Sequence, residues 1–305
     1  MRIGLFAGAT AATGSSPNEI VDFSKQAENM GFDSIWLANI FGLDAIGTLA
    51  ICGWETERIE FGTAVTPTYP RHPTALAQQS ITTNVACGGR FALGIGLSHK
   101  MVIEDMLGMS YAKPGAHMKE YLQIIGPLLR GETADFQGVE YSSKIALDIP
   151  GASNVPLLVA ALGPKMLEIA GTYADGTTTW VTGPKTLESH IIPIIGKAAE
   201  AAGKSAPRIV AGLPIAVTND VAGAKEQIAK DLYIYGVLPS YKAMLDREGA
   251  AGPEDIALVG DEATVRAGIA RLRDIGVTDF NAAIVPTGEG VAETTLALLA
   301  DELGK

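Results

Sequence analysis

Short apolar runs alternate with amphipathic stretches along the whole chain. Runs of Val, Ile, Leu and Ala without regular polar alternation predict strands that are buried on both faces. Such strands are predicted at residues 2–8, 33–38, 59–65, 91–96, 156–161, 176–181, 208–216 and 279–285. Stretches with apolar residues three or four positions apart predict helices between them. These helices are predicted at residues 17–30, 43–54, 73–87, 114–130, 164–172, 184–202, 261–275 and 290–303.

Local capping signals support the helix boundaries. Ser16 precedes Pro17 at the start of the first helix, and Glu19 completes the pattern of a capping box. Gly31 follows the last turn of that helix, where a left-handed conformation commonly ends a helix. Asp261 is a good N-cap for the helix at 261–275.

The order of these elements predicts the fold. Buried strands that are each followed by a helix form a parallel sheet covered by helices. Eight such units fit a closed barrel better than an open sheet. The sequence therefore predicts an α/β fold, a (β/α)8 TIM barrel with insertions, in which residues 1–305 form a single domain.

Two segments interrupt the alternation. Residues 131–155 are polar and rich in turn residues, and residues 220–258 combine further helical pattern with turns. Loops that follow the strands of such a barrel build its active site. The second segment is therefore predicted either to cover the site or to serve another contact, and the first, which precedes a strand, is a weaker candidate for a lid.

Composition and charge restrict the class of partner. The net charge is −11, from 34 acidic and 23 basic side chains, which argues against nucleic acid or an anionic membrane surface as a partner. The N-terminus has no signal-peptide pattern, and we find no apolar stretch long enough to span a membrane. We therefore expect a cytoplasmic protein. The two cysteines, Cys52 and Cys87, lie in apolar helical stretches and are predicted to be buried free thiols.

The predicted carboxyl ends of the strands carry mostly small or neutral polar residues. The sequence has no cluster of His, Asp and Glu with metal-ligand spacing, no Gly-x-Ser-x-Gly motif and no phosphate-binding Walker loop. We therefore predict no metal site. A pocket of this composition suits a flat organic cofactor that performs the difficult chemistry itself.

Four segments carry a resemblance to a known family. They are GTAVTPTYPRHPTALAQQ at 62–79, GGRFALGIGLSH at 88–99, VAALGPKMLEIAG at 159–171 and ADGTTTWVTGP at 174–184. With them, the chain resembles the luciferase-like monooxygenase superfamily. Within it, the chain resembles the F420-dependent branch that includes methylenetetrahydromethanopterin reductase and F420-dependent glucose-6-phosphate dehydrogenase. The resemblance implies an oxidoreductase that transfers a hydride between the deazaflavin of F420 and a small organic substrate.

The resemblance also implies roles for individual residues. A non-prolyl cis peptide is expected at Ala64–Val65, beneath the cofactor ring, since family members often carry one at the end of the third strand. His99 matches the position of an acidic proton-transfer residue in the sugar dehydrogenase, and an imidazole can serve the same purpose. Asn39 and Ile40 replace an aspartate–histidine pair of that relative. Asn39 is therefore a candidate for catalysis and for cofactor contact, whereas oxidation of a sugar by the relative's mechanism is doubtful.

The expected cofactor-binding residues lie at the ends of five strands. Backbone N–H groups after the fifth strand are expected to face a phosphate, and Lys165 to pair with the acidic tail of F420. Arg71 and His72 are expected either to contact the cofactor or to cap the helix that follows them. The expected set is Asn39, Thr63, Ala64, Val65, Thr66, Gly96, Ser98, Ala161, Leu162, Gly163, Lys165, Thr182 and Gly183.

Two alternatives remain open from the sequence. The first is an FMN-dependent monooxygenase on the same barrel, which would use reduced flavin and oxygen. The second is a cofactor-binding barrel without catalysis, suggested by the missing acid–base pair at Asn39–Ile40. Apolar strips on the first helices, with Trp54 near the end of one, predict a homodimer.

Overall fold

The computed structural model describes residues 1–7 and 15–305, and it forms the predicted closed barrel. Gly8 of the predicted first strand lies outside the described residues. All neighbouring barrel strands are parallel, and the last strand pairs with the first to close the ring. The strands are β1 Arg2–Phe6, β2 Ser34–Leu37, β3 Glu60–Thr63, β4 Phe91–Gly96, β5 Leu157–Val159, β6 Gly176–Trp180, β7 Arg208–Val217 and β8 Asp279–Ile284.

Helices cover the outside of the barrel at the predicted places. The helices that follow barrel strands are Pro17–Asn29, Ala45–Trp54, Pro73–Ala86, Pro114–Leu129, Pro164–Tyr173, Ile192–Ala201, Glu262–Asp274 and Val291–Asp301. The predicted capping box is present, because the Ser16 N–H donates to Glu19 Oε2 at 2.6 Å and the Glu19 N–H donates to Ser16 Oγ at 3.3 Å. The predicted helix at 184–202 is instead divided into Pro184–Thr186, a π-helical turn Leu187–Ile191 and Ile192–Ala201.

Side chains and an ionic cluster close the amino-terminal end of the barrel. Arg208 contacts Asp279 and Glu60, each at 2.6 Å, and its guanidinium lies 5.3 Å from the ring centre of Trp36. Trp36 is fully buried inside the barrel, where Gly62 leaves room for it: a Cβ at Gly62 would lie 2.3 Å from its ring. The barrel is therefore filled at this end.

The two insertions have different places in the fold. Within residues 131–155, the strands Ala134–Gln137 and Ser142–Ile145 form an antiparallel hairpin, which the sequence analysis did not predict. The Glu120 carboxylate accepts the N–H groups of residues 139–141 and fixes the hairpin turn. The second insertion contains the helices Val221–Asp231, Tyr233–Val237 and Pro239–Glu248, a 3-10 turn Pro253–Asp255 and a short strand Leu258–Gly260 that pairs with β7.

Both cysteines are buried and unpaired, as predicted. Among the residues that the structure describes, no helix has the length and apolar character needed to cross a membrane.

Candidate functional site

A chamber with two connected parts opens at the carboxyl ends of the barrel strands. The inner part has a volume of about 240 Å³ and the outer part about 750 Å³. Their combined size is within the range of pockets that hold an organic cofactor. Both parts are lined by Phe6, Ala64, Val65, Ser98, His99, Trp180 and Tyr241. These shared residues mark the centre of the chamber.

A bulge at the end of β3 forms one wall of the chamber. The segment at β3 pairs with β4 at Gly62–Ala92, and the pairing resumes at Thr66–Ile95. Three residues, 63–65, therefore lie opposite two, 93–94. The Thr63 hydroxyl bridges the gap, since it donates to the Gly94 carbonyl at 2.7 Å and accepts the Gly94 N–H at 3.0 Å. The bulge exposes Ala64 and Val65 to the chamber and buries Thr63 and Thr66.

The Ala64–Val65 peptide bond is cis, which confirms the expectation drawn from the family resemblance.

Two glycines of β4 make room for this bulge. A Cβ at Gly94 would lie 2.0 Å from the Thr63 carbonyl oxygen, and one at Gly96 would lie 2.6 Å from Val65 Cγ2. They stand two residues apart and therefore face the same side of the strand. Gly96 also lines the chamber. The Gly-Ile-Gly pattern of the sequence is explained by this close approach of two backbones.

His99 lies at the centre of the chamber with its ring nitrogens unbonded to any described residue. It follows Ser98, which has a positive φ of 59° and turns the chain at the end of β4. Burial lowers the pKa of the His99 imidazole, so the neutral form predominates at neutral pH. A neutral, half-buried imidazole with available nitrogens is suited to accept a proton from a bound molecule.

A series of aromatic rings connects the barrel interior with the second insertion. Phe6 contacts Trp180 edge-on at 5.0 Å, and Tyr235 lies between Trp180, at 6.1 Å, and Tyr241, at 4.8 Å. Tyr241 is also 6.1 Å from the His99 ring. Burial raises the pKa of the Tyr241 hydroxyl, so it remains a hydrogen-bond donor. The insertion therefore covers the chamber and supplies part of its wall.

Asn39 lines the outer part of the chamber, but its carbonyl oxygen is already bonded. Asn39 Oδ1 accepts the Ala45 N–H at 3.1 Å and Arg71 Nη2 at 3.4 Å. Arg71 also pairs with Asp44 at 3.2 Å. Only the Nδ2 group of Asn39 is left to donate to a ligand. His72 instead caps the next helix, because its Nδ1 accepts the Thr74 N–H at 3.3 Å.

The turn after β5 lines the inner part through Ala161, Leu162 and Gly163. Gly163 is the N-cap of helix Pro164–Tyr173 and provides no side-chain cap, so the first N–H groups of the helix can meet an anion. The Lys165 side chain is exposed and pairs with Glu168 at 3.4 Å on its own helix. The structure therefore brings the backbone of this turn to the chamber, and not the lysine side chain.

Thr182 and Gly183, after β6, do not line the chamber. The Glu248 carboxylate of the insertion accepts the N–H groups of Lys185 and Thr186, at 3.0 and 2.7 Å. A Cβ at Gly183 would lie 2.3 Å from Glu248. The Glu248 carboxylate therefore occupies the helix start next to Thr182 and Gly183, which were expected to bind the cofactor. It also anchors the insertion to the barrel.

Among the chamber residues that the sequence analysis did not identify, Tyr241 and Asn281 have the clearest polar roles. Tyr241 lies in a segment without a strand end, so only the position of the insertion reveals it. Asn281 lines the inner part, is 2% exposed, and its Oδ1 has no hydrogen-bond partner among the described residues. The signal for Asn281 was a single amide in the middle of an apolar strand.

The neighbouring His117 has a structural role. It is 4% exposed, its Nε2 lies 2.9 Å from Thr68 Oγ1, and its ring stacks on Tyr69 at 3.9 Å. Burial lowers the pKa of His117 to about 4. The ring is therefore neutral in the folded protein at neutral pH, and it supports the segment that follows β3.

The protonation of His117 is expected to destabilise the protein in acid. The unfolded chain takes up a proton near pH 6.5, whereas the folded protein does so near pH 4, so stability is lost as the pH falls between these values. The loss amounts to about 3 kcal/mol. Urea unfolding at a series of pH values should show that the free energy of unfolding depends less steeply on pH in His117→Gln than in the unmodified protein. Parallel curves would contradict this assignment.

No group of three or more metal-ligating side chains occurs among the described residues.

Comparisons with known proteins identify the family that the chain matches. The luciferase-like monooxygenase family profile matches residues 1–279. The 5,10-methylenetetrahydromethanopterin reductase of Methanolobus tindarius is 30% identical over 298 residues, which cover 86% of this chain and 89% of the relative.

Solved structures resemble the barrel over its full length. The coenzyme F420-dependent tetrahydromethanopterin reductase from Methanopyrus kandleri has a TM-score of 0.80 and 23% identity, covering 99% of this chain and 98% of that one. The oxygenating constituent of a diketocamphane monooxygenase from Pseudomonas putida, in complex with FMN, has a TM-score of 0.78 and 18% identity, covering 99% and 97%. The fold alone therefore does not choose between the two cofactors.

Proposed function

Because this chain belongs to the luciferase-like monooxygenase family, we propose that it is an F420-dependent oxidoreductase that transfers a hydride to or from a small organic substrate. The observation that carries the proposal is the chamber, which is lined both by Ala64 and Val65 of the bulge and by His99, whose ring nitrogens have no hydrogen-bond partner among the described residues. The similarity to an F420-dependent glucose-6-phosphate dehydrogenase from Microbacterium testaceum, 33% identical over 62% of this chain and 60% of the relative, favours F420 over FMN.

The residues of the inner part fit a flat, hydrogen-bonding ring. Ala64, Gly96 and Ala160 are small and leave space beside the bulge. Asn281 offers a buried amide oxygen that has no partner in the part of the chain that the structure describes, which suits an N–H group at the edge of a ring. The uncapped turn Ala161–Gly163 suits the phosphate of an extended tail.

Each group of the chain has a role in this proposal. F420 supplies a hydride at C5 of its deazaflavin ring when it is bound. Ala64, Val65 and Asn281, which line the inner part, would hold this cofactor. His99 accepts or returns the substrate proton, and the Tyr241 hydroxyl donates a hydrogen bond to a substrate oxygen. The insertion helices exclude water from the site.

Equilibrium binding of F420 and FMN to one preparation without cofactor tests the proposal. Fluorescence titration should give an F420 affinity at least about tenfold above that for FMN, a difference of about 1.4 kcal/mol. The reverse preference would move the protein to the oxygen-using monooxygenases. Binding of neither would reject a cofactor site at the strand ends. F420 binding without hydride exchange over a broad substrate panel would favour a non-catalytic barrel.

We also propose that the protein forms a homodimer. Trp54 is 77% exposed at the end of helix Ala45–Trp54, and Ile51 is exposed one turn earlier on that helix. Val85 is exposed near the end of the neighbouring helix Pro73–Ala86. Exposed large apolar side chains on adjacent helices are typical of an interface between subunits.

Trp54→Glu is expected to shift the protein from dimer to monomer. The carboxylate would be buried without a partner in the interface, which costs several kcal/mol over the two copies. Sedimentation velocity at micromolar concentration measures the change. Val139→Glu is the control, since Val139 is 89% exposed on the hairpin away from this face. An unchanged dimer in Trp54→Glu would reject this surface.

A further inference from the structure

We propose that the outer part of the chamber is the substrate site and that it takes an uncharged substrate with an apolar body and a carbonyl or hydroxyl group. This inference rests on the proposed function and names the substrate class of the same site. It is carried by the apolar lining of the outer part, by its charge and by its volume.

The strand ends supply part of the lining of the outer part, and two segments outside the barrel strands supply much of the rest. One is the π-helical turn Val102–Met106 with its neighbours, and the other is the insertion from Leu232 to Tyr241. Large apolar side chains at the opening are strongly exposed, Met106 by 58% of its surface. Apolar side chains that surround the mouth of a pocket lose contact with water when an apolar ligand enters. The set includes Met101, Met106, Leu107, Ile234 and Leu238.

The charges of the outer part do not suit an anion. Its charged lining residues are Arg71 and Asp231. Arg71 is already paired with Asp44 and bonded to Asn39, so its charge is compensated. Among the described residues, the Asp231 carboxylate accepts only from the Gln227 amide, at 2.8 Å, and no cationic side chain pairs with it. Residues 8–14 contain no charged side chain that could alter this balance. A phosphate or carboxylate of a substrate would therefore be buried without a cation.

The size of the outer part matches a compact organic molecule. The outer part has a volume of about 750 Å³, in addition to the inner part, which suits the cofactor ring. Met101 and Met106 are unbranched and adaptable, so the lining can accept apolar bodies of different shape. Ser98, His99 and Tyr241 are polar residues that line both parts, and of these His99 and Tyr241 would meet the reacting oxygen.

A matched pair of probes tests this substrate class. Acetylnaphthalene and the corresponding acetylnaphthoate differ only by a carboxylate. Equilibrium dialysis against the protein with bound F420 should give at least about tenfold tighter binding of the neutral ketone. Equal or tighter binding of the carboxylate, or no binding of either probe, would overturn the inference. F420 binding in the same preparation tests the proposed function separately.

A pair of methionine variants locates the site. Met106→Lys should weaken binding of the neutral ketone and strengthen binding of the carboxylate probe, so that the preference for the ketone shrinks by about tenfold. Met109→Lys is the matched control, because Met109 is 37% exposed on the same segment but does not line the chamber. The same change of preference in both variants, or in neither, would place the probe elsewhere and overturn the inference.

Discussion

Gly94→Ala is expected to lower the free energy of unfolding by about 3 kcal/mol and to abolish tight F420 binding. The added Cβ would lie 2.0 Å from the Thr63 carbonyl oxygen, which belongs to backbone and cannot rotate away. The β3 bulge would have to move, and Ala64 and Val65 would leave the chamber wall. Urea unfolding measures the first effect and F420 fluorescence titration the second.

Gly196→Ala is the control for this substitution. Gly196 lies in helix Ile192–Ala201, and a Cβ there would meet nothing within 4 Å. Alanine is the better helix former, so this variant should be more stable by about 0.5–1 kcal/mol. If Gly94→Ala were as stable as the unmodified protein and still bound F420, the close approach of β3 and β4 would not be needed to form the site.

The second large effect concerns turnover. His99→Gln is expected to lower kcat by about 100-fold while changing the F420 affinity by less than about threefold. Glutamine preserves polarity and approximate size but cannot accept the substrate proton. In the unmodified protein, kcat in the direction of substrate oxidation should fall in acid as His99 becomes protonated, below the ordinary histidine pKa. The variant should lack this acidic limb.

Lys100→Gln is the matched control for His99→Gln. Lys100 is the next residue, points to solvent and pairs with Glu104 at 3.6 Å, so its loss should leave kcat and the pH profile unchanged. A normal rate in His99→Gln, or an acidic limb that persists there, would show that His99 only positions the ligand. Tyr241 would then become the stronger candidate for proton transfer.

Hydrophobic pattern alone was sufficient for the barrel. Most strands are apolar runs such as FALGIG in β4, and each is followed by a helix, so a closed parallel sheet is the arrangement that buries all of them. The hairpin at 134–145 was missed because its strands are short and largely exposed, as in SSKI at Ser142–Ile145. An exposed strand has no continuous apolar signal.

The sequence by itself also located Ala64, Val65, Gly96, Ser98 and His99, because strand ends of a barrel meet at one face. Only the tertiary structure decided which strand-end groups face the chamber. Thr182 and Gly183 do not line the chamber, and Glu248, which is distant in sequence, accepts the N–H groups of Lys185 and Thr186 that follow them. The Lys165 side chain pairs with Glu168. Tyr241 and Asn281 enter the site through the folding of the insertion and the inward face of β8. Local pattern records the burial and conformation of a segment, whereas the partner of a side chain depends on contacts between segments far apart in the chain.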